Sequence, residues 1–70
     1  MSSIVKVVEV IAQSDKSFDD AVRNAVKEVS KTVTGINSVW VDNFSCTVAG
    51  GQITEFRVNA KVSFVVEGHK

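Results

Sequence analysis

Hydrophobic positions in this chain repeat with the helical period in one stretch and with the strand period elsewhere. Over 17–35 the apolar residues recur every three or four positions, which predicts an amphipathic helix with one buried stripe. Polar residues on the opposite face predict two surface ion pairs, Asp19 with Arg23 and Glu28 with Lys31. The apolar stripe consists of Phe18, Ala21, Val22, Ala25, Val26, Val29 and Val33.

Both ends of this helix carry sequence signals. Ser17 is a typical N-cap residue, and Asp20 three positions later predicts a capping box in which its carboxylate reaches back to Ser17. Gly35 is the expected left-handed stop. The four valines of the stripe are mediocre helix formers. The helix therefore needs a sheet against which its stripe can be buried.

Three segments dense in β-branched residues predict the strands of that sheet, namely Ile4–Ala12, Ile36–Ala49 and Ile53–Glu67. The first segment is apolar on both faces, so it requires cover on both sides. The last segment alternates, and its even-numbered positions are expected to face the helix. Those positions are Thr54, Phe56, Val58, Ala60, Val62, Phe64 and Val66.

The second strand contains a break in its alternation. The apolar parity changes between Val41 and Phe44, which predicts a β-bulge near Asp42 and Asn43. The glycine-rich residues 49–52 predict a hairpin turn into the last strand. The predicted fold class is α+β, with β-α-β-β order and a three-stranded antiparallel sheet in which the first strand lies beside the third.

Element lengths predict that the sheet extends beyond its helix. The predicted helix spans roughly 26 Å at 1.5 Å per residue, whereas the last strand reaches about 45–50 Å at 3.3 Å per residue. Apolar residues at the overhanging end, such as Phe64 and Val66, are expected to curl round the helix or to pack against neighbouring subunits. The chain of 70 residues is one domain, 1–70, and 44% of it is hydrophobic. One helix cannot cover that much apolar surface, so we expect an oligomer.

Composition excludes some partners. The 8 basic and 8 acidic residues give a formal net charge of zero and are interspersed, which argues against nucleic acid and against anionic membranes. A single cysteine, Cys46, excludes an internal disulfide, and its apolar neighbours in parity predict an inert core thiol. The sequence has no signal-like apolar core and no run of membrane-spanning length, so a cytoplasmic location is expected.

Trp40 is the residue that the fold alone does not explain. With Val39 and Val41 directed at the helix, Ser38 and Trp40 point to the opposite face, which also carries Arg57. An indole there is a stacking platform for a planar ligand, and a nearby guanidinium can stack or donate hydrogen bonds. Equally, tryptophan is favoured at the centres of subunit contacts. The two interpretations are compatible if the pocket lies between subunits.

Catalysis and metal binding lack a sequence signature. There is no pairing of a nucleophile with a base, no phosphate-cradling glycine motif and no zinc spacing. Helix capping accounts for Asp19 and Asp20, and with Asp15 they do not resemble a calcium loop. His69 lies in the C-terminal tail and is not expected to be catalytic. The sequence predicts neither an enzyme nor a metal site.

The residues considered so far carry a resemblance to a known family. The opening VKVVEVIAQSDKSFDDAVRNAV, the SKT near the end of the predicted helix, the GGQI turn and the closing FRVNAKVSFVVEG together resemble the dodecins, small flavin-binding proteins. The resemblance covers nearly the whole chain. Its most specific positions in combination are Ser14, Ala21, Ala25, Ser30, Lys31, Thr32, Gly51, Val62 and Phe64.

This resemblance implies an assembly and a ligand. It implies a curved sheet partly wrapping the helix, a hollow homododecamer, and flavins that stack in pairs on tryptophans at subunit contacts and are stored rather than turned over. Counted from Thr32, the family's stacking tryptophan falls on Ser38, and Trp40 lies one pleat further along the same face. The family's flavin-contacting glutamine falls on Arg57.

The sequence therefore predicts a cytoplasmic homododecamer that sequesters riboflavin, FMN or a similar small planar ligand. Trp40 is the predicted platform, with Arg57 and Ser38 as polar neighbours. The alternative is a dodecin-like assembly that no longer binds flavin and has a structural or ion-binding role. In that case Trp40 would pack a subunit interface.

Overall fold

Helix α1 (Phe18–Val29) lies on one face of a three-stranded antiparallel sheet in this computed structural model, which describes residues 4–66. The strands are β1 (Ile4–Ser14), β2 (Ile36–Ala49) and β3 (Gln52–Val66). Strand β3 lies between the other two and pairs with both in antiparallel register. The predicted α+β class, the β-α-β-β order and the position of the first strand beside the third are confirmed.

Helix α1 begins where the sequence predicts but ends earlier. Its last residue is Val29, so the predicted extension to Gly35 is wrong. Two hydroxyl groups bind carbonyls of the last turn: Ser30 Oγ donates to Lys27 O at 2.8 Å, and Thr32 Oγ1 donates to Val29 O at 3.2 Å. Such side chains compete with continued helix for the same acceptors. Gly35, with φ of +79°, instead shapes the connection to β2.

The start of α1 is capped, but not by the predicted box. Ser17 Oγ accepts from Asp20 N at 2.9 Å, as expected of an N-cap. The Asp20 carboxylate does not return to Ser17; it accepts from Ser14 Oγ at 2.7 Å. Ser14 also accepts from Lys16 N and Ser17 N. In the predicted capping box the Asp20 carboxylate would accept from Ser17 N; here it accepts from the buried hydroxyl of Ser14 instead.

Small side chains form the contact between helix and sheet. Ala21 and Ala25 of α1 face Ala60 and its neighbours on β3. The even-numbered positions Val58, Ala60 and Val62 are completely buried, which confirms the face predicted for β3. Because alanine side chains are short, the helix axis lies close to the strands and the core of one chain is thin.

The sheet overhangs the helix as predicted. The molecule measures 55 × 20 × 13 Å, whereas twelve helical residues span only about 18 Å. At the N-terminus of α1 the Phe18 ring packs edge-on against both Phe44 and Phe56, with centroids 5.1 Å apart in each case. Further along this overhang Cys46 is exposed, so the prediction of a core thiol is wrong. Cys46 pairs with Phe56 beyond the first residue of α1, so no helical turn covers it.

The predicted bulge and hairpin turn are both present. Val41 pairs with Ala60 and Asn43 with Asn59, so Asp42 is the extra residue on β2. The turn between β2 and β3 has positive φ at both glycines of residues 50–51, which suits a tight hairpin. Two further register irregularities, between 36 and 38 and between 47 and 48, were not predicted.

Strand β1 leaves apolar side chains uncovered on both of its faces. Val5, Val7 and Ile11 point away from the helix, and Ile4 lies on the helix side beyond its end. Each is between 54% and 61% exposed. A single chain therefore does not provide the cover on both sides that the sequence requires.

Candidate ligand-binding site

Trp40 lies on the sheet face opposite the helix, as predicted, and its side chain is 70% exposed. Its neighbours Val39 and Val41 are half-buried and pack against the core. Across the β2–β3 ladder Trp40 is the direct partner of Lys61. The strand pairing thus holds an indole beside an ammonium group.

A shallow depression of about 320 Å³ surrounds the indole. It spans all three strands, because one lining residue comes from β1, three from β2 and two from β3. Its volume is at the lower end of the range for small-molecule sites. The lining residues are Val7, Ser38, Trp40, Asp42, Lys61 and Ser63.

Ser38 enters this depression as part of a hydroxyl network. Ser63 Oγ donates to Asn37 Oδ1 at 2.7 Å, and Ser38 Oγ is hydrogen-bonded to Ser63 Oγ. A hydroxyl has one proton, so Ser38 must be the donor to Ser63. The lone pairs of Ser38 remain as acceptors for a ligand.

Lys61 and Asp42 form an ion pair at the rim of the depression, with Nζ and Oδ2 3.4 Å apart. Their side chains are 45% and 33% exposed. The bulge explains the contact: Asp42 is the extra residue of β2 and lies on the same face as Trp40. A donor and an acceptor therefore lie side by side next to the indole.

Arg57 lies on the same sheet face but away from the depression. It is four residues from Lys61 along β3, about 13 Å at 3.3 Å per residue. Its guanidinium donates to Gln13 Oε1 through Nε at 3.0 Å and Nη2 at 2.7 Å. One chain therefore brings Ser38 and Trp40 together and holds Arg57 beside β1.

Part of the lining does not follow from the sequence pattern. The alternation along β3 predicts that the odd-numbered Lys61 and Ser63 lie on this face, whereas the parity change predicts Asp42 only as a bulge residue. The pairing of Lys61 with Trp40 depends on two register shifts, one at the predicted bulge and one between 47 and 48 that the sequence pattern does not indicate. The contribution of Val7 follows from the pairing of β1 with β3.

A second groove of about 530 Å³ lies between β1 and α1. It contains no aromatic side chain, and its charged groups are partly paired: Lys31 Nζ contacts Glu28 Oε2 at 2.8 Å. This hydrogen bond and the charge of Lys31 lower the pKa of Glu28. The predicted pairs Glu28–Lys31 and Asp19–Arg23 are both present. The groove thus offers no stacking platform comparable to Trp40.

Residues 4–66 contain neither a group of metal-ligating side chains nor a membrane-spanning helix. Within that range no three His, Cys, Asp or Glu side chains are grouped as they would be around a metal ion. No helix in the described part of the chain is long and apolar enough to cross a membrane. Asp15 and the aspartates of α1 do not form such a group. His69 lies outside the described residues, as does Glu67 at the predicted end of β3.

The structure is that of a small α+β protein with an exposed tryptophan in a depression on the outer face of its sheet. A comparison with known families matches residues 4–67 to Dodecin. The chain belongs to the dodecin family. Dodecins are non-enzymatic binding proteins that assemble as oligomers and typically bind small ligands.

Solved structures of high similarity include three from different bacteria. The dodecin of Streptomyces coelicolor is 30% identical, with 96% of each chain covered and a TM-score of 0.90. The calcium dodecin of Mycobacterium tuberculosis, a calcium-chelating antigen with a novel calcium-binding site, is 28% identical over 97% of each chain, with a TM-score of 0.82. A Thermus thermophilus protein is 22% identical over 97% of this chain and 100% of that one, with a TM-score of 0.92. A search of curated proteins found no match.

Proposed function

We propose that this dodecin sequesters flavin without turning it over, as a cytoplasmic homododecamer with the ligand stacked on Trp40 at subunit contacts. The observation that carries the proposal is the 70% exposure of Trp40 within a depression on the outer sheet face. A large aromatic surface left open to water is costly for a folded monomer. Stacking of a planar ring on the indole removes that cost.

The openness of the depression supports a site shared between subunits. The indole provides one flat wall, and the described chain supplies no second wall opposite it. A second subunit related by a two-fold axis would supply the same surface from the other side. Uncovered apolar side chains on β1 give such an assembly further contact area.

Each of the three predicted residues has a role in this arrangement. Trp40 stacks on the ring, and Ser38 accepts a hydrogen bond from the ligand. Arg57 is about 13 Å along β3 from the partner of Trp40. If the outer sheet faces of two subunits pack about a two-fold axis that passes between the positions of Arg57 and Trp40, Arg57 of one subunit approaches the Trp40 depression of the other, where it can stack or donate a hydrogen bond.

A fluorescence titration of riboflavin tests the proposal, because flavin stacked on indole is quenched. We expect saturable quenching by the wild-type protein, loss of quenching in Trp40→Ala and partial retention in Trp40→Phe, which keeps a smaller ring. Phe44→Ala is the matched control, since Phe44 is a partly exposed aromatic residue on the opposite face. Absence of quenching, or quenching unchanged in Trp40→Ala, contradicts the proposal.

The dodecamer is tested separately by sedimentation analysis of the wild-type protein and Trp40→Ala. Twelve subunits of 7.6 kDa are expected for both. A monomer or dimer of the wild-type protein would overturn the assembly. Dissociation of Trp40→Ala alone would show that Trp40 is interface packing.

A second candidate function is a dodecin assembly that binds an ion instead of flavin. The hydroxyl of Ser38 at the family's tryptophan position favours it, and one similar structure is described as calcium-chelating. Calcium prefers six to eight oxygen ligands, so the ligands would have to come from several subunits. Terbium luminescence, with calcium as competitor, tests this function. A colourless protein that binds terbium favours the second candidate over the first.

A further inference from the structure

The ion pair beside Trp40 has hydrogen-bonding capacity beyond its mutual contact. Lys61 Nζ and Asp42 Oδ2 are 3.4 Å apart. An ammonium group carries three protons and a carboxylate carries two acceptor oxygens, so each partner can make additional bonds. Both line the same depression as the indole. A ligand lying flat on Trp40 would therefore present its edge to one donor and one acceptor.

Asp42 has no cross-strand partner on β3. Asp42 is the extra residue between the pairs Val41–Ala60 and Asn43–Asn59. A bulge residue of this kind is left without a ladder partner, and bulges commonly redirect a side chain. Its carboxylate is therefore directed along the outer face toward Lys61 rather than held in a regular cross-strand pair.

Little stability is lost when the pair opens to admit a ligand. The side chains of Lys61 and Asp42 are 45% and 33% exposed, and ion pairs of such exposure contribute little to folding. Lys61 also has Glu9 as its cross-strand neighbour on β1, but its ion pair is with Asp42. Each group can thus exchange part of its contact for a charge-assisted hydrogen bond to a ligand.

We propose that Lys61 and Asp42 determine which planar ligands bind, by recognising adjacent carbonyl and N–H groups on the ring edge. Lys61 donates to the ring carbonyl, and Asp42 accepts from the neighbouring ring N–H. The ligand class is a fused planar ring with a lactam or imide edge, such as the pyrimidine ring of a flavin. This inference rests on the proposed stacking of the ligand on Trp40.

A pair of ring analogues tests the inference. Lumiflavin carries the imide edge without a ribityl chain, and 3-methyllumiflavin differs only by a methyl group on the imide nitrogen. Both are titrated by flavin fluorescence into the assembled wild-type protein. We expect lumiflavin to bind about tenfold or more tightly than its methylated analogue, because methylation removes the proton and leaves the carboxylate unpaired.

Three variants assign the discrimination to residues. In Asp42→Ala the two analogues should bind about equally, with lumiflavin losing affinity. Lys61→Met should weaken both analogues alike, since both keep their carbonyls. Glu9→Gln is the matched control: it removes an acidic charge from the other neighbour of Lys61 and should leave the ratio unchanged. Sedimentation of each variant checks that the assembly is intact.

The outcomes separate this inference from the proposed function. Equal binding of both analogues by the wild-type protein, with quenching that depends on Trp40, overturns the edge recognition and leaves the flavin function standing. Discrimination that persists in Asp42→Ala assigns it to a steric effect of the methyl group and also overturns the inference. If Glu9→Gln changes the affinity ratio of the two analogues as much as Asp42→Ala does, the discrimination comes from the net charge of the face. That result also overturns the inference. No quenching by either analogue overturns both proposals.

Discussion

Ser14 Oγ donates a 2.7 Å hydrogen bond to Asp20 Oδ2, joining the last residue of β1 to the first turn of α1. The same hydroxyl accepts from the backbone N–H groups of Lys16 and Ser17. Ser14 is only 6% exposed and is the buried polar residue of the described core. One side chain therefore closes the connection between strand and helix and positions the helix on the sheet.

Ser14→Ala should destabilise the protein by about 1–3 kcal/mol, because it leaves backbone N–H groups and a carboxylate without their partner. The free energy of unfolding is measured by chemical denaturation at one subunit concentration, since dissociation is coupled to unfolding. Ser30→Ala is the control, because Ser30 is exposed and makes one bond at the helix end. Equal losses in the two variants would contradict the central role of Ser14.

Gly35→Ala should destabilise the fold by about 1–3 kcal/mol. Gly35 has φ of +79°, and an added Cβ would lie 3.1 Å from Val65 O, whose residue also donates its N–H to Gly35 O. Gly50→Ala is the matched control, because Gly50 also has positive φ but no atom lies within 4 Å of an added Cβ. Thermal unfolding should show the larger loss for Gly35. An equal or larger loss for Gly50 would contradict a contribution from the contact between the added Cβ and Val65 O.

The sequence predicts most of the fold because local patterns and tertiary structure agree over most of its length. The alternation in β3 and the parity change at Asp42 directly indicate which side chains face the core. The apolar period predicts too long a helix because Val33 continues it, whereas the hydroxyl groups of Ser30 and Thr32 bind carbonyls of the last turn. The apolar period gives no information about side-chain hydroxyl groups that compete with backbone N–H groups for the same carbonyls.

The site was less accessible from the sequence than the fold. Trp40 stood out because a large aromatic residue on a polar face is unusual, and the structure confirms its exposure. The grouping of Trp40 with Asp42 and Ser63 depends on strand register, which shifts at the bulge. Arg57 shares the face with Trp40, but parity gives no information about distance along a strand.

Arg57→Gln places at position 57 the side chain that the dodecin resemblance implies there. If Arg57 serves the ligand of a neighbouring subunit, we expect riboflavin affinity to change by about tenfold, a typical effect of one hydrogen bond to a charged group. Gln13→Ala is the control, because it removes the present partner of Arg57 without touching the guanidinium. Affinity that is unchanged in Arg57→Gln would remove this residue from the site.

Glu28→Gln should lower the melting temperature slightly at neutral pH, and the difference should vanish in acid. The hydrogen bond from Lys31, aided by its charge, holds the pKa of Glu28 below its ordinary value of 4.5 in the folded chain. The folded state therefore binds fewer protons than the unfolded state near that pH. The added stability is present above pH 4.5 and is lost as pH falls through the lowered pKa.

Melting temperatures of both proteins are compared at neutral pH and in steps below pH 4.5. Because the pair is exposed, roughly 1 M salt should also shrink the difference. A difference that grows on acidification would contradict this assignment. So would a difference that is insensitive to salt.

The placement of β3 between β1 and β2 also orders the events of folding. The β2–β3 hairpin closes over a two-glycine turn and can form soon after both strands have been synthesised. Strand β1 leaves the ribosome first, yet its only partner in the described sheet is the strand made last. Until then a β-branched segment with an unpaired edge is free to associate with the same segment of another nascent chain. Rapid closure of the hairpin therefore limits the time during which co-translational aggregation competes with folding.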